Sequence, residues 1–200
     1  MTRVHSQTLE NMLHFYPKVA TIVTVHAQGK DNAMAVAWNM PISRTPPLYA
    51  VSVASRRYTY ELIRQAGEFA VNFLPLEAVE LVLAMGSVSG RDIDKFEQFG
   101  VAKDEAFTTA PVLQAAYAAY ECRLVDTKTY GDHDIIIGEI VGVHYDDACF
   151  DEAGMLRLDR AHPTLYLGND FFATADAASL RHLDRDTTAT TYRGQRQQVS

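Results

Sequence analysis

From Val19 to Val25 apolar residues alternate with threonine, and the pattern stops at Gln28, Gly29, Lys30, Asp31 and Asn32, so it predicts a strand running into a turn. Ala33 to Trp38 resumes the alternation with Met34, Val36 and Trp38 on one side, which makes the two segments a hairpin. Pro41, Pro46 and Pro47 offer no amide donor, so Ile42 to Thr45 is expected to be a loop. Leu48 to Ala54 is a further strand. A helix follows, with Thr59 as N-cap, Glu61 in the first turn, Leu62 and Ile63 inward, and Gly67 as the stop. Phe69 to Phe73 is extended again, whereas Leu76 to Met85 has helical spacing and ends at Gly86. Ala116 to Lys128 and Ile135 to Tyr145 form two long strands joined by a tight turn at Tyr130 to Asp132, and Leu165 to Leu167 closes the set. About seven strands with brief helical interruptions favour a mainly β fold with short helices, a closed or nearly closed barrel over a doubly wound sheet.

At 200 residues, 48% hydrophobic, the chain can bury most of its apolar surface in one domain. A net charge of −7 leaves no broad phosphate-neutralising surface, so a nucleic-acid partner is not expected. The first residues mix charge and amide, and no later stretch approaches the roughly 18 apolar residues of a membrane span. Neither secretion nor a membrane is therefore expected, and a reducing cytoplasm is the simplest setting. Cys122 and Cys149 are too few for a disulfide framework; Cys122, with Tyr120 and Leu124 at alternate spacing, reads as a buried strand residue. Residues 176–200 have few aliphatics beyond alanine and carry Arg181, Arg185, Arg193 and Arg196 among Thr and Gln, so the compact domain is expected over residues 1–175, followed by a polar tail.

Several chemistries drop out. The run Gly86-Ser87-Val88-Ser89-Gly90 has valine where a nucleophile elbow needs serine, and neither a dinucleotide-binding nor a triphosphate-binding glycine loop exists. The seven histidines include no i, i+4 pair, so no metal is expected. Four polar clusters remain. Trp38, Asn39, Met40, Pro41, Ile42 and Ser43 would ordinarily be a core tryptophan and a capped loop. In Ser55, Arg56, Arg57, Tyr58 and Thr59, hydroxyls, guanidinium donors and a helix N-terminus converge, which is what a phosphate monoester requires. Ser89, Gly90, Arg91, Asp92, Ile93, Asp94, Lys95 and Phe96 read as a glycine turn, an aspartate cap and a short helix, and Tyr130, Gly131, Asp132 and His133 as a solvated turn.

The order of these clusters carries more than any one of them: Y-P-x-x-x-x-I-V-T, A-W-N-M-P-I-S, P-P-L, S-R-R-Y-T-x-E-L-I, F-A-V-N, S-G-R-D-x-D-K-F, E-C, G-D-H-x-x-x-x-G-E-I and P-x-L-Y-L-G. It resembles the flavin reductase-like family of FMN-binding split barrels, and within it the flavoredoxin-like branch, over roughly Tyr16 to Phe172. The resemblance implies a homodimer with one flavin per subunit near the dimer interface. Asn39, Met40, Pro41, Ile42 and Ser43 would then run along the isoalloxazine and ribityl chain, with backbone amides facing the polar ring edge. Ser55, Arg56, Arg57 and Thr59 would hold the phosphate, with Ser89, Gly90, Arg91 and Lys95 joining from the third cluster and Asn72 reaching the ribityl. His133 would lie beside the nicotinamide approach. FMN is the implied cofactor, FAD the alternative, and NAD(P)H the co-substrate, with electrons passed on to an acceptor that includes another protein. The other reading is a non-enzymatic FMN-binding electron carrier.

Overall fold

The computed structural model describes residues 15–183 together with His5 and Gln7. The elements run β1 (Lys18–Val19), β2 (Thr21–Ala27), β3 (Lys30–Val36), β4 (Asn39–Arg44), β5 (Pro47–Val53), α1 (Tyr58–Ala66), β6 (Glu68–Phe73), α2 (Val79–Ser87), α3 (Lys95–Gln98), β7 (Lys103–Asp104), β8 (Val112–Leu113), β9 (Ala118–Tyr130), β10 (His133–Tyr145), β11 (Leu165–Gly168) and β12 (Phe171–Ala173). Seven strands form one antiparallel sheet in the order β3-β2-β6-β9-β10-β5-β4. The sheet rolls around one core, to which β2, β3, β5, β6, β9 and β10 all contribute and which α1 plugs with Leu62 and Ile63. Each of those two side chains, fully buried, is worth roughly 1.5–3 kcal/mol.

The two end strands, β3 and β4, are consecutive in the chain and meet at Ala37–Trp38, where Ser52 N donates to Trp38 O at 2.8 Å. The roll is therefore split along β3. A second core lies on the other face of β2 and β3, where Ile22 and Ala33 pack against Val82 and Met85 of α2 and Phe96 of α3.

Several expectations shift. The β2–β3 turn has only Gln28 and Gly29 at positive φ (56° and 72°), the two-residue geometry that matches strand twist, so Lys30, Asp31 and Asn32 belong to β3. Asp31 is fixed there by His26 Nδ1 and Lys103 Nζ, each at 2.6 Å. The expected loop at Ile42 to Thr45 is mostly strand: β4 pairs with β5 and bulges between Pro41 and Ser43, because an edge strand needs only one row of donors and tolerates proline. Thr59 is not the N-cap of α1. Arg57 holds that position without a side-chain cap, while Gly67 closes the helix at φ 70° as expected. The next helix is a 3-10 turn at Leu76–Ala78 followed by α2, which runs through Gly86 to Ser87. β11 pairs with β1 and β12 in a separate small sheet instead of closing the large one. No described helix is long and apolar enough to cross a membrane. Of the expected tail, a 3-10 turn at Ala177–Ser179 is described; residues 184–200 lie outside the described residues.

Candidate functional site

Asp94 caps α3 by accepting from Glu97 N at 3.0 Å, which directs the next residue, Lys95, inward. Its ammonium, on a residue only 3% exposed, donates to Ala33 O on β3 (2.7 Å) and Met85 O on α2 (2.8 Å). An ammonium has three donors, and the third has no acceptor among the described residues. Desolvation, with repulsion from the Arg57 guanidinium added, pulls the Lys95 pKa down to about 8.

Lys95 lines a cleft of about 520 Å³ together with Arg57, Thr59, Ser89 and Gly90. These five residues come from two of the clusters noted in the sequence, and the fold brings them to one place. Thr59 lies one residue inside α1, so the uncapped start of a nine-residue helix faces the same cleft. The donor set comprises a guanidinium, an ammonium, two hydroxyls and helix amides. One carboxylate, Asp92, also lines the cleft, so cations outnumber anions. That chemistry fits a phosphate monoester dianion.

The cleft continues. Ala35, Gly86 and Ser87 are shared with a neighbouring cleft of about 260 Å³ that adds Ala37, Tyr166 and Phe172. Ala37 is shared in turn with a third, of about 540 Å³, whose lining includes Tyr16, Trp38, Asn39, Met40 and Pro41. The groove thus follows β3 into β4, from a cationic end, past alanines and two aromatic rings, to the turn into the edge strand. Alanines at 35 and 37 beside Gly86 keep its floor low; a Cβ on Gly86 would already lie 3.3 Å from the Ala35 Cβ. A planar ring carrying a phosphorylated chain has the shape and polarity this groove accepts.

The remaining residues expected at the site divide. Asn39, Met40 and Pro41 line the third cleft, but the Asn39 side chain is engaged internally, donating to Val19 O and Val36 O and accepting from Tyr49 OH at 2.6 Å. Ile42 and Ser43 follow on β4 beyond these lining residues. Ser55 and Arg56 are exposed and line none of the three clefts; Arg56 instead acts electrostatically on Asp132. Arg91 does not line the main cleft: it pairs with Glu61 at 2.7 Å and packs over Tyr58, in a smaller cavity beside it. Asn72 is corrected. It is fully buried, its amide donating to Ile22 O and Thr24 Oγ1 and accepting from Leu113 N, so it ties three elements together and cannot reach a ribityl chain.

His133 opens β10 after the two-residue turn Gly131–Asp132, with its Nδ1 on the Asp132 carboxylate at 2.8 Å and its ring 4.7 Å from that of Trp38. That hydrogen bond holds the Asp132 carboxyl below the ordinary range. Through Trp38 the imidazole adjoins the third cleft, at the opposite end from Lys95. Sequence reasoning took Trp38 as a core residue and left out Ala35, Ala37 and Asn32; the alternating small residues at 33, 35 and 37 were the available sign for the two alanines. Cys122 is fully buried and burial pushes its thiol up to about 12, consistent with an inert strand residue.

Residues 12–175 match the flavin reductase like domain. The chain belongs to the flavin reductase-like family. It is similar to a protein of Aeropyrum pernix at 38% identity over 171 residues, 84% of this chain but only 63% of that protein's length. Among solved structures, the FMN-binding protein of Thermus thermophilus is 32% identical with a TM-score of 0.81, covering 91% of this chain and all of that one. The flavoredoxin of Methanosarcina acetivorans is 27% identical with a TM-score of 0.80, covering 93% of this chain and all of the other. The rolled sheet with its split along β3 is thus the FMN-binding split barrel, and the groove lies along that split.

Proposed function

We propose that this flavin reductase-like protein is an oxidoreductase that binds FMN in the β3 groove. The observation that carries the reading is the groove's polarity, a cationic, donor-rich end continuous with an apolar and aromatic stretch. When bound, the flavin supplies the redox chemistry, accepting a hydride from NAD(P)H and passing electrons onward, to a protein among other acceptors. Arg57, Lys95, Thr59 and Ser89 hold the phosphate. Ala35, Ala37, Tyr166 and Phe172 exclude water along the floor, and Asn39, Met40 and Pro41 border the far end. No acid or nucleophile is required of the chain; its work is positioning and exclusion of water. Exposed Met40 and Ile42 at that end suit a homodimer in which the partner covers the groove. In this reading residues 1–175 form the flavin domain of a cytoplasmic protein, and FAD is the second cofactor choice.

Two measurements test it. Purified protein is expected to show, or to acquire with added FMN, an oxidised-flavin spectrum, which NAD(P)H then bleaches without oxygen. A protein that takes up no FMN ends the reading. FMN uptake without bleaching selects the electron carrier, the reading favoured by likeness to a flavoredoxin.

His133→Ala is expected to leave the FMN dissociation constant unchanged, because the imidazole stands at the opposite end from the phosphate donors. Reduction by NAD(P)H should slow from a few-fold to about tenfold, the worth of one hydrogen bond to the nicotinamide carboxamide. Anaerobic stopped-flow at varied NAD(P)H separates binding from the hydride step. An unchanged rate returns His133 to a turn residue.

FMN affinity is also expected to depend on pH in a way that riboflavin affinity does not. The phosphate becomes a full dianion above about pH 6. Lys95 loses its proton as pH rises through about 8, so the attraction fades above that point. The ratio of FMN to riboflavin affinity should therefore peak between the two. A fluorescence titration from pH 5.5 to 9.5 measures it, and a flat ratio would place Lys95 out of reach of the phosphate.

A further inference from the structure

Asn32 lies on β3 beneath the start of α1, only 3% exposed; it lines the smaller cavity beside the phosphate cleft and not the cleft itself. Its Nδ2 donates to Thr59 Oγ1 at 2.8 Å. Its Oδ1 is buried without a hydrogen-bond partner and aimed at Gly90, where a Cβ would collide with it. A hydroxyl has one proton to donate. The Thr59 proton has no acceptor among the described residues, while its oxygen is already engaged by Asn32 and the residue, 3% exposed, is among those lining the cleft. Two unspent donors, from Thr59 and Lys95, thus converge on one space.

We infer that Asn32 is a positioning residue for the phosphate: by donating to Thr59 Oγ1 it directs that hydroxyl's proton into the cleft, and Gly90 is glycine because Asn32 fills the place of a side chain there. The inference rests on the phosphate reading above and adds to it a residue that touches no ligand. An amide is required. A carboxylate at position 32 has no proton to give, so it would become the acceptor for the Thr59 hydroxyl, turn that proton away from the cleft and set a negative charge beside the anion. Asparagine and aspartate are nearly isosteric, so Asn32→Asp tests the hydrogen-bond direction with little change in packing.

The experiment is a flavin fluorescence titration of the full chain with FMN and with riboflavin, for the wild type, Asn32→Ala, Asn32→Asp, Thr59→Val, Thr59→Ser and Asn32→Ala/Thr59→Val, each checked by thermal melting. Asn32→Ala is expected to weaken FMN from about twofold to about tenfold, and Asn32→Asp by more, with riboflavin unchanged in both. Thr59→Ser should keep FMN affinity and Thr59→Val lose it. Adding Asn32→Ala to Thr59→Val should cost nothing more, since the hydroxyl it positions is gone. If Asn32→Ala fails to fold, Asn32→Asp and the Thr59 pair carry the test. A folded Asn32→Asp that keeps the wild-type preference for FMN over riboflavin overturns the inference alone, and so do additive losses in the double variant. A wild type that binds both flavins equally overturns the phosphate reading as well.

Discussion

Replacing Arg57 with alanine is expected to weaken FMN from about tenfold to about a hundredfold while leaving riboflavin nearly untouched, and the same change at Arg56 is expected to alter neither affinity. Arg57 lines the cationic cleft with Lys95, Thr59 and Ser89, and its charge is felt at the Lys95 ammonium. A charge-assisted hydrogen bond to a dianion is worth roughly 1.5–3 kcal/mol, which sets the range. Arg56 is its sequence neighbour but lines none of the groove's clefts and acts on Asp132 instead. Both arginines precede Tyr58, the first residue of α1, and Arg57 as N-cap has extended backbone, where successive side chains point to opposite sides, so a pair that looks like one feature in the sequence divides its duties. Isothermal titration of the two single variants with both flavins decides the matter; equal losses for FMN and riboflavin in Arg57→Ala would show the guanidinium to be solvated only.

Lys95→Met is expected to produce a second large effect, this time on folding as well as binding. The ammonium bridges Ala33 O and Met85 O, and both would lose that donor in a site only 3% exposed at residue 95. Each orphaned acceptor costs roughly 1–3 kcal/mol, so unfolding free energy should fall by roughly 2–6 kcal/mol in urea titration, offset in part by the apolar stem of methionine. Any folded fraction should bind FMN more weakly and lose the alkaline decline in FMN affinity, because the group that titrates is gone. A variant with wild-type stability would mean that those carbonyls find water.

The apolar alternation located most strands, because a strand that faces a core on one side must alternate whatever its partners. β5, β6 and the two long strands β9 and β10 lie within a few residues of their expected places. The ordered polar clusters carried the family resemblance, since backbone turns and anion donors need particular residues at fixed spacings. Both kinds of information are local, and local reasoning failed where a residue's meaning depended on what lies across from it. Proline-rich β4 is strand because it happens to be an edge. Asn72 and Asn39 look like ligand contacts in the sequence, yet backbone carbonyls claim their amides, Asn72's in the core and Asn39's nearer the surface. Arg91 is taken by Glu61 from a helix 30 positions away in the chain. Asn32 gives no signal at all until β3 passes beneath α1. Residue type and spacing thus determined the fold and the chemistry on offer, whereas which donors stay unspent and face one groove was decided only when distant segments packed and satisfied the others.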